Sequence, residues 1–333
     1  MNTDIDRTAT LPRPPRLTRF SGQGVRNVFR FHGWRVDRAL HNIVYFAFYD
    51  LYVPTFIRVG GLLAKHLGGT RFVHFMYDMV YSRYHAKVLT PAEFTKILTL
   101  DHDVNLGPDD GKRIIPFEYA NNIILEEPQY IAVMDCPCRM SRKNPCQPVN
   151  VCMGIGRHYA ELWLDVGEKY HVRQVTQAEA LQLLHDARSR GCITAAWLKV
   201  ATGARTGVIC SCCSCCCGGI EGMRIARKLT GGAPLTNIAP SGYRVVIDED
   251  VCMECGHCSE ICKFGAMLRD GNGVRTYDAA ECLGCGLCVE HCQSGGLKLE
   301  IDPAKSLPLD LDLARKIFAP GQPSGAHART TDH

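Results

Sequence analysis

Apolar positions recur at helical spacing in one part of the chain and at strand spacing in another. From 176 to 190, Ala180, Leu181, Leu184 and Ala187 fall on one helical face, with Thr176 and Glu179 at capping-box spacing and Gly191 as the stop. Residues 35–66 also read as helical and apolar, and carry the aromatic stretches 45–49 and 51–53. The run from Ile43 to Leu63 has the length of a membrane span, but Asp50, Pro54 and Arg58 interrupt it, so no transmembrane helix is predicted. Towards the end of the chain the period falls to two. Residues 243–248 and 297–301 read as an opening and a closing strand, and Asp270-Gly271-Asn272-Gly273 as a hairpin turn midway between two cysteine-bearing repeats. Gly231-Gly232-Ala233-Pro234 and Ala239-Pro240-Ser241-Gly242 mark a boundary before this last part.

The composition, 46% hydrophobic and 22% charged over 333 residues, supports real cores and excludes general disorder. The formal charge of +4 is too mild to argue for nucleic acid. It is unevenly spread: residues 1–90 hold 13 Lys plus Arg against 5 Asp, a net +8, which leaves the remainder at −4. Residues 1–34, with the Pro/Arg-rich 11–16, read as a basic disordered segment, and 35–90 as a basic aromatic helical region. Tyr side chains flanked by Arg35, Arg38, Arg58, Lys65 and Arg71 suit a membrane interface or an anionic partner. The alternative is a helical cap buried on the rest of the protein.

Cysteine changes the picture most, with 19 in the chain. Disulfides, zinc sites and iron–sulfur clusters compete for them. The start of the chain lacks a secretory pattern, the count is odd, and runs such as Cys215-Cys216-Cys217 are poor disulfide geometry. A reducing cytoplasm, in an anaerobe, is the expectation, with peripheral attachment to the inner membrane face left open.

From 252 the chain repeats itself at an offset of 30 residues: Cys252, Cys255, Cys258 and Cys262, then Cys282, Cys285, Cys288 and Cys292, with Gly256/Gly286 and Gly265/Gly295 also recurring. Two copies of C-x2-C-x2-C-x3-C fit cubanes, whereas a zinc ribbon has no place for the third cysteine. Residues 243–301 thus resemble the two-cluster bacterial ferredoxins. The resemblance implies that Cys252, Cys255, Cys258 and Cys292 hold one [4Fe–4S] cluster, and Cys282, Cys285, Cys288 and Cys262 the other. The family's Pro after the fourth cysteine is replaced by Lys263 and Gln293, which puts the reduction potentials, and not the ligation, in question.

The middle region, 91–230, carries ten more besides Cys192: Cys136, Cys138, Cys146 and Cys152, then Cys210, Cys212, Cys213, Cys215, Cys216 and Cys217. CPCR and CxCCxCCCG ahead of a dicluster segment resemble a group of iron–sulfur proteins of anaerobic bacteria with no settled activity. In an extended run, Cys210, Cys212 and Cys216 would point one way and Cys213, Cys215 and Cys217 the other. The run is therefore expected to be shared between two metal centres, or between one cluster and reserve thiols, with one or two further [4Fe–4S] clusters favoured over zinc. Arg139 and Lys143 would offset cluster charge, or form an ordinary basic turn. Cys192 reads as a buried small hydrophobe, and His158, His171 and His185 as structural rather than as ligands or proton carriers.

The fold class expected is α+β: a helical N-terminal region, a mixed cysteine-rich middle domain, a ferredoxin-like domain over 240–302, and a disordered tail over 303–333. The function expected is electron transfer with redox partner proteins, as a relay or subunit of an anaerobic redox system. The rivals are an iron–sulfur reductase with a substrate-binding middle cluster and a metal or cluster carrier. No nucleotide cofactor is expected, since Gly154-Ile155-Gly156 alone is too weak a motif.

Overall fold

The computed structural model describes residues 22–81, 84–102, 104–105, 124–166, 170–199, 206–229, 237–305 and 308–309. The Pro/Arg-rich 11–16, the glycine-rich 231–234 and the tail from 310 lie outside them.

Four helices come first: α1 (Gly22–His32), α2 (Val36–Ala47), α3 (Tyr49–Leu67) and α4 (Arg71–Tyr81). Residues 22–32 were expected to lack structure. They are helical because Val25, Val28 and Phe29 share one face, and Val28 is fully buried. Then follow β1 (Tyr84–Leu89), α5 (Pro91–Leu98), the short ladder β2 (Val104–Asn105) with β3 (Ile124–Leu125), β4 (Ile131–Asp135), α6 (Pro137–Met140) and β5 (Asn150–Ile155). Next are α7 (Arg157–Val166), β6 (Arg173–Val175), α8 (Gln177–Ser189), β7 (Ile193–Lys199), β8 (Thr206–Cys212), α9 (Gly218–Leu229) and β9 (Ile238–Ala239). The last part holds β10 (Tyr243–Ile247), α10 (His257–Ile261), β11 (Met267–Arg269), β12 (Arg275–Tyr277), α11 (Leu287–Glu290) and β13 (Leu297–Ile301). The fold is α+β.

One seven-stranded sheet, in the order β6-β4-β5-β8-β7-β1-β9, organises the middle of the molecule. It is antiparallel except where β1 runs parallel to β9, so it draws strands from Tyr84 to Ala239. Alternation along the strands sorts the side chains. Ile131, Val133, Met153, Ile155, Ala196 and Ile209 pack with Phe94 of α5 and Leu184 of α8 on one face. Ala132, Met134, Ala195, Trp197, Val208, Cys210 and Cys212 belong to the core on the other, with Trp163 of α7, Ile220 of α9, and Tyr45 and Phe46 of α2.

Helix α8 starts where the sequence places it, with the Thr176 hydroxyl accepting from the Glu179 N–H at 3.2 Å. The reciprocal half of the capping box is absent because the Glu179 carboxylate turns to Arg173 instead, at 2.5 Å. Gly154 and Gly156 serve packing: a Cβ on Gly154 would stand 3.2 Å from Trp163, and Gly156 lies at φ +93° beside the Glu126 carbonyl. In the last part, β10 pairs antiparallel with β13, Val245 opposite Leu299, and β11 with β12 across the Asp270 turn. Asp270 closes that turn by accepting from the Asn272 and Val274 N–H groups at 2.9 and 2.8 Å. At the end of the described chain Leu309 is buried, and its N–H donates to the buried Glu93 carboxylate at 2.7 Å, so the tail begins by packing on α5.

Directly after the cysteine run, a Cβ on Gly219 would stand 2.1 Å from the Trp197 ring, so only glycine lets α9 start against the sheet. Gly219→Ala should lower stability by about 1–3 kcal/mol through overpacking. Gly271→Ala, at an open surface position, should change it by less than about 0.5 kcal/mol. Anaerobic denaturant unfolding of the two variants measures the contrast.

Candidate metal centres

In the ferredoxin-like part, Gly256 and Gly286 take left-handed backbone conformations, φ +81° and +79°, and turn the chain from the Cys-x2-Cys loops into the short helices α10 and α11. A side chain would be strained at either position. Cys252, Cys255, Cys258 and Cys292 line one small cavity, so the last cysteine of the second repeat stands with the first three of the first. Cys262 stands near the other three: burial pushes the Cys288 thiol up, and the neighbouring Cys285, Cys282 and Cys262, with Cys258 of the first set, add to the effect. Burial also pushes Cys285 up, to about 11, and Cys262 and Cys282 raise it as well. Burial raises Cys292 too, but the Ser294 hydroxyl and nearby backbone N–H groups outweigh it and hold that thiol below its usual value. These two sets of four thiols have the donor chemistry a pair of cubanes requires, and each would hold one cluster able to take up and release an electron.

Two buried or half-buried guanidinium groups stand beside these sets. Arg275 donates to Cys252 Sγ at 2.7 Å and pairs with Glu249. Arg188, at the end of α8 and only 1% exposed, donates to the Cys285 carbonyl at 2.7 Å and pairs with Glu290 of α11. Ser241 and Lys305 add bonds to the same loop: the Ser241 N–H donates to the Leu283 carbonyl at 2.9 Å and Lys305 Nζ to the Cys282 carbonyl at 2.6 Å. The second cysteine loop is thus bound to Arg188 of α8 and to Ser241, just past β9. Lys263, next to Cys262 in the chain, extends towards Gly191, where a Cβ would stand 3.2 Å from its Nζ.

The ten middle cysteines fall into two groups. Cys136, Cys138, Cys152, Cys210, Cys212 and Cys217 line one cavity of about 350 Å³ on the sheet face that α2, α3 and α4 cover, and Cys213 borders it as well. Cys152 and Cys210 stand opposite each other on β5 and β8, Sγ to Sγ 3.6 Å. His41, Tyr45, Tyr52, Phe56 and Tyr77 form the facing wall. Cys146, Cys213, Cys215 and Cys216 form the second group, their Sγ atoms all within 4.8 Å of one another. The division into two groups follows the expectation, but its membership does not. Cys217 joins Cys210 and Cys212, and Cys216 joins Cys213 and Cys215. The reason is that β8 ends at Cys212 and residues 214–216 form a turn, so strict alternation stops there.

Arg139 lies between the groups, 1% exposed, and donates to Cys192 Sγ at 3.3 Å and to the Ser211 carbonyl at 3.1 Å. Cys192 is buried as expected and packs against Cys213 and Cys216. Lys143 is exposed, and the second cation is Arg142, which donates to the Cys216 carbonyl at 3.1 Å and pairs with Glu221. Arg224, on the next helix, donates to the Ser214 carbonyl at 2.9 Å. Nothing in the sequence singles out Arg142 or Arg224, because only the fold brings them to the turn. The three histidines stand elsewhere: His158 pairs with Glu126 at 2.8 Å, His171 with Asp135 at 2.6 Å, and His185 packs edge-on against Phe94.

Residues 244–293 match the family model of the 4Fe-4S dicluster domain. The chain therefore carries such a domain, whose chemistry is iron–sulfur electron transfer, while the middle region stands on its own residues. The comparison with curated proteins gives no match.

Crossed sets make a distinct prediction. Cys262→Ala should damage the cluster of Cys282, Cys285 and Cys288, and Cys292→Ala that of Cys252, Cys255 and Cys258. Electron paramagnetic resonance on the reduced variants reads which signal is lost, and loss of the signal belonging to the same repeat would contradict the crossing.

Proposed function

We propose that the protein is an iron–sulfur electron relay in which the carboxy-terminal pair exchanges electrons with a third [4Fe–4S] cluster held among Cys136, Cys138, Cys152, Cys210, Cys212 and Cys217. The observation that carries this reading is the six-thiol cavity itself: soft ligands, buried, on a sheet to which the dicluster domain is docked through Arg188. Thiolates that converge in an apolar interior need compensating positive charge, which iron and the buried Arg139 supply. The setting would be a subunit or carrier in an anaerobic, cytoplasmic redox system working with partner redox proteins.

One feature favours a second reading. The cavity extends from the thiols to an aromatic wall, so a substrate could sit against an exposed cluster corner, as in a reductase. A cluster whose resonance spectrum changes on adding a candidate electron acceptor, with the other two unchanged, would favour that reading over a relay.

The N-terminal helices supply the reading of location. Their inner side covers the six thiols, as a cap would, but their outer side is not polar: Trp34, Leu40, Leu51, Leu62, Phe72 and Phe75 are more than half exposed. Exposed Arg26, Arg30, Arg58, Lys65 and Arg71 surround them. No helix is long and apolar enough to cross a membrane among the described residues. An apolar face within a segment of net +8 fits peripheral attachment to an anionic lipid surface, where each basic residue contributes about 1 kcal/mol.

Two measurements test these proposals. Anaerobically purified protein should contain about 12 iron atoms per chain, four per cluster, and a value near eight would remove the middle cluster. The intact protein should float with phosphatidylserine-containing vesicles at low salt, less so at high salt, and Phe72→Glu/Phe75→Glu should abolish it. Failure to float at low salt would leave a protein partner as the occupant of that face.

A further inference from the structure

We propose that Cys146, Cys213, Cys215 and Cys216 bind one zinc ion, separate from the iron–sulfur clusters. Spacing carries the argument. Cys146 Sγ lies 2.8 Å from Cys215 Sγ, which lies 3.5 Å from Cys216 Sγ, and all four sulfurs are within 4.8 Å of one another. A tetrahedral ion about 2.3 Å from each thiolate places its sulfurs about 3.8 Å apart. In a cubane each thiolate caps a different iron, with sulfide between, so the sulfurs stand farther apart. The molecule contains its own comparison: among the described residues, this is the group of three or more ligand side chains that draws together so closely. The eight cysteines of the dicluster domain form no such group, and neither do the six of the cavity.

The chemistry of the set agrees. Four soft thiolates in a tetrahedron select zinc or iron over hard cations, and four protein ligands leave no position open, the arrangement of structural zinc. Each thiol gives up its proton to solvent as it binds, so zinc with four thiolates is a dianion. Arg142 and Arg224 reach this turn through the Cys216 and Ser214 carbonyls, Arg139 donates to the Cys146 carbonyl at 3.4 Å, and together they place positive charge around the four thiols.

The site also has a task. Three of its ligands lie on the turn that follows β8, and the fourth on the loop before β5, so the ion would tie together two segments without regular secondary structure. That turn is bracketed by Cys212 and Cys217, both of which face the six-thiol cavity. By fixing residues 213–216, the ion sets where two ligands of the neighbouring cluster stand. The crowded CxCCxCCCG run then has a physical reason: it serves two centres from one turn.

The test uses the full-length holoprotein. Mass spectrometric metal analysis should give one zinc per chain beside the iron, and zinc-edge X-ray absorption should show four sulfurs at about 2.3 Å and no iron neighbour. Cys146→Ser and Cys215→Ser should each lose the zinc while keeping the carboxy-terminal cluster signals. Absence of zinc, or iron in its place, overturns the proposal, as does a variant that loses four irons and no zinc. X-ray absorption on the unmodified protein decides the matter even if a variant fails to fold. About eight irons with one zinc would remove the third cluster and leave the zinc site standing, so the two readings fail separately.

Discussion

Strand β8 is hydrogen-bonded on both sides, to β5 through Cys152 opposite Cys210 and to β7 through Ile193 opposite Cys212, and the middle of the molecule depends on that double pairing. It pins the start of a run of cysteines whose conformation would otherwise be undetermined. While the ladder lasts, alternate residues share a face, so Cys210 and Cys212 meet Cys152 under the N-terminal helices. When the ladder ends, the backbone turns, and Cys215 and Cys216 leave that face for Cys146, while Cys213 borders the cavity and joins them. Cys217 returns to it at the start of α9, where Gly218 and Gly219 let the helix approach: a Cβ on Gly218 would stand 2.9 Å from Ile57, and one on Gly219 would meet Trp197.

Buried positive charge follows the sulfur. Arg139 and Arg188 are each 1% exposed, an expensive position for a guanidinium unless anions or carbonyls meet it. Arg139 lies between the two middle groups, and Arg188 joins the middle sheet to the loop of Cys285. Thiolate-ligated centres are anionic, and such cations stabilise them while adjusting how readily they accept an electron. The same two side chains bridge segments distant in sequence, and in the proposed relay they would also tune the clusters.

The N-terminal helices are two-sided. Tyr45, Tyr52, Val53 and Ile57 face the cavity, which accounts for the aromatic richness of this segment as part of a wall. The remaining apolar residues face outwards among basic ones. The cap, one of two alternatives on sequence grounds, is thus the inner side of a helical layer whose outer side is apolar and basic.

Local patterns determined a good deal of this protein by themselves. The 30-residue repeat, the hairpin at Asp270 and the α8 start at Thr176 are set by short-range bonding and by glycines at positive φ, so they could be read along the chain. Period two assigned Cys210 and Cys212 to one face for the same reason. Tertiary structure decided the rest. The partition of Cys216 and Cys217 depends on where β8 stops, which the neighbouring strands set. Helix α1 is stabilised by what it packs against, despite its charged sequence. The choice of Arg142 over Lys143, and the arrival of Arg224 at the Ser214 carbonyl, depend on the direction of a turn and a helix, and a contact between segments tens of residues apart leaves no periodic trace in either.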